Sequence, residues 1–257
     1  MKVGTSLLTY ENGKINLSRM EKLVRVLADI HNSGKAAILV SSGAVGVGLG
    51  MLNLDKRPDS LVKKQALAAI GQAGLIRLYQ KFFDEYGKTV AQLLLTRDGI
   101  ENSLRRKNAR NTLNELLAMG IIPVINENDT VSTDEIEFGD NDTLSASVAT
   151  LVGADLLIIL TDTDGVFTAD PHLDQTATKV HKVLKASDDL RNVDVNGSSK
   201  LGKGGMASKV AAAEMCREHS IDVVIADGTD PNNILRVLDG RDLGTFFVSE
   251  ATNQRSL

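Results

Sequence analysis

The 257-residue sequence predicts an α/β fold, a three-layer αβα sandwich around a mostly parallel central sheet. Three observations carry that expectation. Short apolar runs alternate with longer segments of helical period, the pattern of repeated strand–helix–strand units. The runs are almost continuously apolar, as suits strands covered by helices on both faces. Directly after several of them come clusters of Gly, Ser, Asn and Asp, where a parallel sheet receives its ligands.

Taken in order, strands are expected at Ala36–Val40, Thr89–Leu94, Ile121–Asn126, Leu156–Thr161 and Asp222–Ala226, with a late one near Thr245–Val248. Between them, Leu17–Ser33 carries Met20, Leu23, Val24, Leu27 and Ile30 on one helical stripe and stops at Gly34. Leu61–Ala69 and Gln72–Tyr86 read as two helices broken near Gly71. Leu104–Met119 ends at Gly120, and Asn141–Val152 at Gly153. Met206–His219 is alanine-rich along one side, which permits close packing. Thr130–Phe138 alternates Val131, Ile136 and Phe138 with polar residues in the manner of a hairpin, and Asp170–Ser199 is polar and least regular. No repeat, low-complexity tract or proline-rich linker interrupts the chain. A single domain over 1–257 is expected, with a soft division near Gly153: residues 1–153 carry substrate-type loops and 154–257 nucleotide-type loops.

Composition narrows the function. Hydrophobic residues make up 42% and charged residues 24%, ordinary for a soluble globular protein. Net charge is −4 with no Lys/Arg block, which argues against a nucleic-acid surface. The single cysteine, Cys216, allows no internal disulfide and no cysteine-based zinc site, and it reads as a small buried residue of a helix in a reducing compartment. No secretory apolar stretch follows Lys2, and runs such as Leu156–Leu160 are too short to cross a bilayer. The expectation is a cytoplasmic protein with no membrane and no nucleic-acid partner. His31, His172, His181 and His219 are scattered without metal-ligand spacing, and no covalent nucleophile stands out. Direct phosphoryl transfer needs neither, because it works by positioning and charge stabilisation.

Six loop segments carry the candidate chemistry. Lys2-Val3-Gly4-Thr5-Ser6 opens the chain, where a lysine is ordinarily solvated. Ser41-Ser42-Gly43-Ala44 begins a glycine-rich strand-to-helix turn, suited to an anion or equally to tight packing. Asn126-Glu127-Asn128-Asp129 sets four amide or carboxylate side chains at one strand end, a pattern for holding an α-ammonium and orienting a carboxylate, with turn bonding as the plainer alternative. In Gly139-Asp140-Asn141-Asp142, Asp142 either complements a helix dipole or accepts from two lysine ammoniums aimed at a phosphoryl group. Thr161-Asp162-Thr163-Asp164-Gly165 has acids at alternate positions before a glycine, but it lacks the downstream Glu of a calcium loop. Gly202-Lys203-Gly204-Gly205-Met206-Ala207-Ser208-Lys209 opens a helix with exposed backbone donors, a phosphate cradle by design although not a Walker A loop.

In this order the six segments resemble the amino-acid kinase superfamily. Their wording is most similar to its glutamate 5-kinase family: Lys-Val-Gly-Thr-Ser, Ser-Ser-Gly-Ala, Pro-Val-Ile-Asn-Glu-Asn-Asp, Gly-Asp-Asn-Asp, Leu-Thr-Asp-Thr-Asp-Gly-Val-Phe-Thr-Ala-Asp-Pro and Gly-Lys-Gly-Gly-Met-Ala-Ser-Lys. Lys64–Gly74 and Gln92–Thr96 also fit, so the resemblance covers nearly the whole chain. It implies that Lys2 and Lys209 flank a transferred phosphoryl group and that Asp142 organises both. It implies glutamate binding by Ser42, Asp129 and Asn141, with Gly43, Asn126 and Asp140 lining the same pocket. ATP would be held by Lys2, Gly4, Thr161, Asp162, Lys203, Gly204, Gly205, Met206, Ala207, Ser208 and Lys209, with Mg²⁺ as cofactor and its ligands unassigned. The implied reaction phosphorylates the L-glutamate γ-carboxylate in the first step of proline synthesis. A homo-oligomer (dimer or tetramer), feedback by proline and hand-off to glutamyl-phosphate reductase come with the same resemblance. Relatives usually carry several apolar residues before the first lysine, so either a shortened first strand or a trimmed chain is expected here. The C-terminal RNA-binding-like (PUA) domain of many relatives is expected to be absent. Competing readings are a sister kinase for N-acetylglutamate, aspartate, carbamate or UMP, and a nucleotide-binding regulator without catalysis; a dehydrogenase is disfavoured because no GxGxxG follows a strand.

Overall fold

The computed structural model describes residues 1–10, 14–54, 56, 58–131, 141–169, 174–185, 189–190 and 205–255. Its fold class is the expected one, α/β with a mostly parallel sheet and flanking helices. The chain divides into two compact units: one is residues 3–138, the other is 139–257 together with Met1 and Lys2. The division falls inside the two-residue strand β1 (Lys2–Val3).

In the unit of residues 3–138, β2 (Leu39–Ser41), β3 (Val90–Leu95) and β4 (Ile122–Glu127) run parallel in the order β3-β4-β2. Leu39 pairs with Val124 and Val40 with Ile125, so the loops after β2 and β4 leave the sheet side by side. The expected strand Ala36–Val40 is therefore shorter and later than its apolar run. Helices α1 (Thr5–Leu8) and α2 (Leu17–Asn32) precede β2, and α2 buries the predicted stripe of Met20, Leu23, Val24, Leu27 and Ile30. Its first turn is capped by the Asn16 side chain, which accepts from the Arg19 backbone N–H at 3.0 Å.

Helix α3 (Ala44–Met51) starts from Gly43 at φ +105°, a conformation that disfavours any residue with a Cβ. Helix α4 then runs unbroken from Leu61 to Asp84, which corrects the expectation of two helices split near Gly71. Gly71 serves packing rather than breakage. A Cβ placed there would stand 1.8 Å from the Ala44 carbonyl oxygen and 2.4 Å from the Gly48 nitrogen, so α3 and α4 touch backbone to backbone. Intrinsic helix propensity counts Gly71 against the helix by only about 1 kcal/mol, and that close contact outweighs it. Short α5 (Arg97–Glu101) and α6 (Ser103–Ala118) complete this unit.

In the other unit, α7 (Asn141–Val152) and β5 (Leu156–Thr161) fall where the sequence placed them. The short strands β6 (Val166–Phe167), β7 (Lys179–Val180) and β8 (Lys182–Val183) follow. Then come α8 (Met206–Arg217), β9 (Asp222–Asp227), α9 (Asn233–Leu238), β10 (Thr245–Phe247) and α10 (Glu250–Arg255). Strands β5, β9, β10 and β8 are neighbours in that order; β5 and β9 are parallel, while β10 is antiparallel to β9 and parallel to β8. The alanine-rich side of α8 meets α7 in one core, where Ala146 and Ala149 join Ala212, Ala213 and Cys216 above Leu157, Ile159, Val223 and Ile225. Small residues let the two helices approach closely, and this sets the distance between the first turns of α7 and α8. The hairpin expected over Thr130–Phe138 lies, beyond Val131, outside the described residues, as does much of Asp170–Ser199.

Candidate active site

Asp142 occupies the first turn of α7, and its side chain is fully buried. Two ammonium groups converge on it: Lys2 Nζ stands 2.6 Å from Oδ1 and Lys209 Nζ 3.1 Å from Oδ2. Both lysine side chains are themselves more than nine-tenths buried. Ser208 Oγ adds a hydrogen bond to Oδ2 at 2.8 Å. Burial by itself would raise the Asp142 carboxyl, but the charges of Lys2 and Lys209 and the hydrogen bonds from Lys2 and Ser208 win and hold it below its ordinary value. One buried carboxylate holding two ammoniums sets positive charge in a place sheltered from water. Such an arrangement attracts an anion with several oxygens and suits charge that develops during phosphoryl transfer.

The local folding explains the convergence. Lys209 is the fourth residue of α8, so its stem rises beside the helix N-terminus, where backbone N–H groups of Met206, Ala207 and Ser208 have no intrahelical acceptor. Gly205 caps that end in extended conformation and without a side chain, which leaves those donors open. The N-terminus of α7 brings Asn141, 9% exposed, beside Asp142. Lys203, Gly204 and Asp140 of the sequence-derived set lie outside the described residues.

Thr161 and Asp162 stand at the carboxyl end of β5. Thr161 is buried with its hydroxyl 3.2 Å from Asp162 Oδ1, and its carbonyl accepts from Gly228 N–H at 2.8 Å, joining the ends of the parallel pair β5 and β9. The two acids of Thr161-Asp162-Thr163-Asp164 part company here. Asp162 is exposed, whereas Asp164 is tied to Lys179 Nζ at 2.8 Å and to Gly244 N–H at 3.0 Å. Asp164 thus secures the turn, a division of labour that spacing alone could not reveal. Among the described residues no group of three or more His, Cys, Asp or Glu could hold a metal ion, and no helix is long and apolar enough to cross a membrane.

In the unit of residues 3–138, the remaining candidates gather at neighbouring strand ends. Ser42 N–H donates to Val3 O at 3.1 Å, and Gly43 opens α3 one residue later. Gly4 caps α1 next in the chain after Val3. Asn126 closes the adjacent strand almost fully buried, accepting from the Glu127 N–H at 2.9 Å and donating through Nδ2 to Gln72 Oε1 at 2.8 Å. Asp129 follows at the half-buried turn. Gln72 was missed by sequence reasoning. Its signal was a lone carboxamide on the apolar face of α4, between Ala68 and Leu75.

Comparison with known proteins agrees with this architecture. Residues 1–227 match the family profile described as the amino acid kinase family. The chain belongs to the amino acid kinase family. Within it, the chain is 48% identical to the glutamate 5-kinase of Clostridium perfringens, over 97% of this chain and 94% of that protein. It is 50% identical to the glutamate 5-kinase of Symbiobacterium thermophilum, over 97% and 95% of the two chains, and 53% identical to that of Caldanaerobacter subterraneus, over 96% and 67%. Among solved structures, the isopentenyl phosphate kinase product complex from T. acidophilum superposes with a TM-score of 0.66 at 15% identity, covering 96% of this chain and 97% of that one. That likeness concerns the fold.

Proposed function

We propose that this protein transfers the γ-phosphoryl group of ATP to the γ-carboxylate of L-glutamate, giving L-glutamyl 5-phosphate, the opening step of proline synthesis. The observation that carries the reading is the buried Asp142 clasped by Lys2 and Lys209, in a chain about half identical to glutamate 5-kinases along nearly its full length.

In this reading Lys2 and Lys209 meet the negative charge on the transferred group, and Asp142 keeps both ammoniums at fixed positions before substrate arrives. Preorganised charge costs no reorganisation at the moment of transfer. The open N–H groups of Gly205 to Ser208 and the Gly4 turn hold the phosphates, and Thr161 and Asp162 the rest of the nucleotide. Ser42, Gly43, Asn126, Asp129, Asp140 and Asn141 hold glutamate. The attacking carboxylate is ionised at neutral pH, so no general base is required. Among the described residues the buried carboxylate at the lysines is already committed to both, and no three acids or histidines gather as metal ligands. The described residues therefore fit a Mg²⁺ ion carried on the nucleotide's phosphates rather than in a protein cage. That ion would neutralise phosphate charge. Residues 1–153 as the substrate lobe and 154–257 as the nucleotide lobe, a cytoplasmic homo-oligomer, feedback by proline at the glutamate pocket, and hand-off of the unstable acyl phosphate to glutamyl-phosphate reductase belong to the same reading.

Trapping the product with hydroxylamine tests it. With Mg-ATP, the hydroxamate is expected from glutamate and not from N-acetylglutamate or aspartate. Product only with N-acetylglutamate would move the chain to a sister activity, and none with any acceptor would favour a nucleotide-binding regulator.

A further inference from the structure

Gln72 lies on the apolar face of α4 with Leu67, Ala68, Leu75 and Tyr79 and is only 8% exposed. A carboxamide so placed needs partners at both ends. Its oxygen has one, the Asn126 Nδ2 donor at 2.8 Å. The orientation of the two amides follows from chemistry. The Glu127 backbone N–H can only donate, and it points at Asn126 Oδ1 from 2.9 Å. Asn126 must then turn its nitrogen toward Gln72, and Gln72 must answer with its oxygen, which sends Nε2 to the opposite side. Among the described residues no acceptor pairs with that nitrogen, which keeps the little solvent access the side chain has and so stands open to a ligand. Gly71, the preceding residue, abuts the Ala44 carbonyl, so Gln72 stands between the Ser42–Gly43 turn and the end of β4.

We infer that Gln72 is a substrate-binding, specificity-determining residue: its Nε2 donates to the non-reacting α-carboxylate of the amino-acid substrate, between the Gly43 turn and Asn126. The inference rests on the carboxylate-kinase reading above. The α-carboxylate is assigned rather than the γ-carboxylate, because a donor on the attacking oxygen would draw away the electron pair that forms the new bond.

Gln72→Glu separates binding from support. It keeps an acceptor for Asn126 Nδ2 and replaces both Nε2 donors by an oxygen that repels a carboxylate. At pH 8, KM for glutamate is expected to rise about 10- to 100-fold, with KM for ATP and Tm near wild type. Competitive binding of 4-aminobutyrate, which lacks the α-carboxylate, is expected to stay as in wild type. An unchanged KM for glutamate overturns the inference. So does a parallel loss for 4-aminobutyrate and ATP with a lowered Tm, which would make Gln72 a framework residue only. Wild-type protein that forms no glutamyl phosphate would sink the underlying reading, and it shows before any variant is made.

Discussion

Lys2 Nζ lies 2.6 Å from Asp142 Oδ1, a contact that ties the second residue of the chain to the first turn of α7 with both side chains shut away from water. The opposite oxygen receives Lys209, so one carboxylate fixes two ammoniums at once. Several consequences of that geometry can be measured.

Lys209→Ala removes one of the two charges but leaves Asp142 paired with Lys2. The variant is expected to fold, with a Tm close to wild type, and to lose about 10²–10³ in kcat. Steady-state kinetics with glutamate and ATP provide the check. Near-normal turnover would take Lys209 out of the reaction.

Asp142→Asn keeps the shape and removes the counter-charge, stranding two buried ammoniums. Breaking a buried ion pair in this way costs about 3–5 kcal/mol, so denaturant unfolding at neutral pH should show a loss of that size. The pH dependence has a definite sign. The folded carboxyl titrates below its unfolded value of 3.8, so its stabilisation is complete above that value and is lost as pH falls through the lower, folded one. The stability gap between wild type and Asp142→Asn should therefore be flat near neutrality and close in acid. A gap that widens on acidification would contradict the direction of the shift.

Gly71→Ala is a small change by helix propensity, and in a free helix it would stabilise. Here its Cβ would meet the Ala44 carbonyl oxygen at 1.8 Å. Overpacking against backbone cannot be relieved by a side-chain rotation, so a loss of about 3 kcal/mol is expected. Thermal unfolding would test it, and an unchanged or higher Tm would mean that α3 and α4 do not touch as described.

Burial pushes the Cys216 thiol up to about 12. Almost none is thiolate at pH 8, and only the thiolate is nucleophilic. Iodoacetamide should leave the native protein untouched and label Cys216 once urea unfolds it, as read by intact mass. Rapid labelling of native protein would place the thiol at the surface.

Much of this was legible in the chain. The apolar runs located β5 and α7 and came within a few residues of the other long strands, because burial on two faces leaves a mark on every residue of a run. The loops at strand ends were legible too, since clusters such as Asn126-Glu127-Asn128-Asp129 have little reason to exist in a simple turn. What failed were cases in which a local signal had a distant partner. Gly71 reads as a break until Ala44 is seen against it. Asp162 and Asp164 are equivalent by spacing, and Lys179 with Gly244 decides between them. The helices α5, α9 and α10 are too short to show a period.

By itself, then, the sequence determined the α/β class, the order of its elements and the loops that hold the charged groups, because periodicity and turn chemistry are properties of neighbouring residues. Only the tertiary structure decided that Lys2, Asp142 and Lys209 meet, at 2.6 and 3.1 Å, and that Gln72 turns its oxygen to Asn126. These pairings join residues far apart in the chain. Their geometry is set by how the Ala-rich α8 packs on α7 and how closely Gly71 lets α4 approach α3, and neither distance is written in any local pattern.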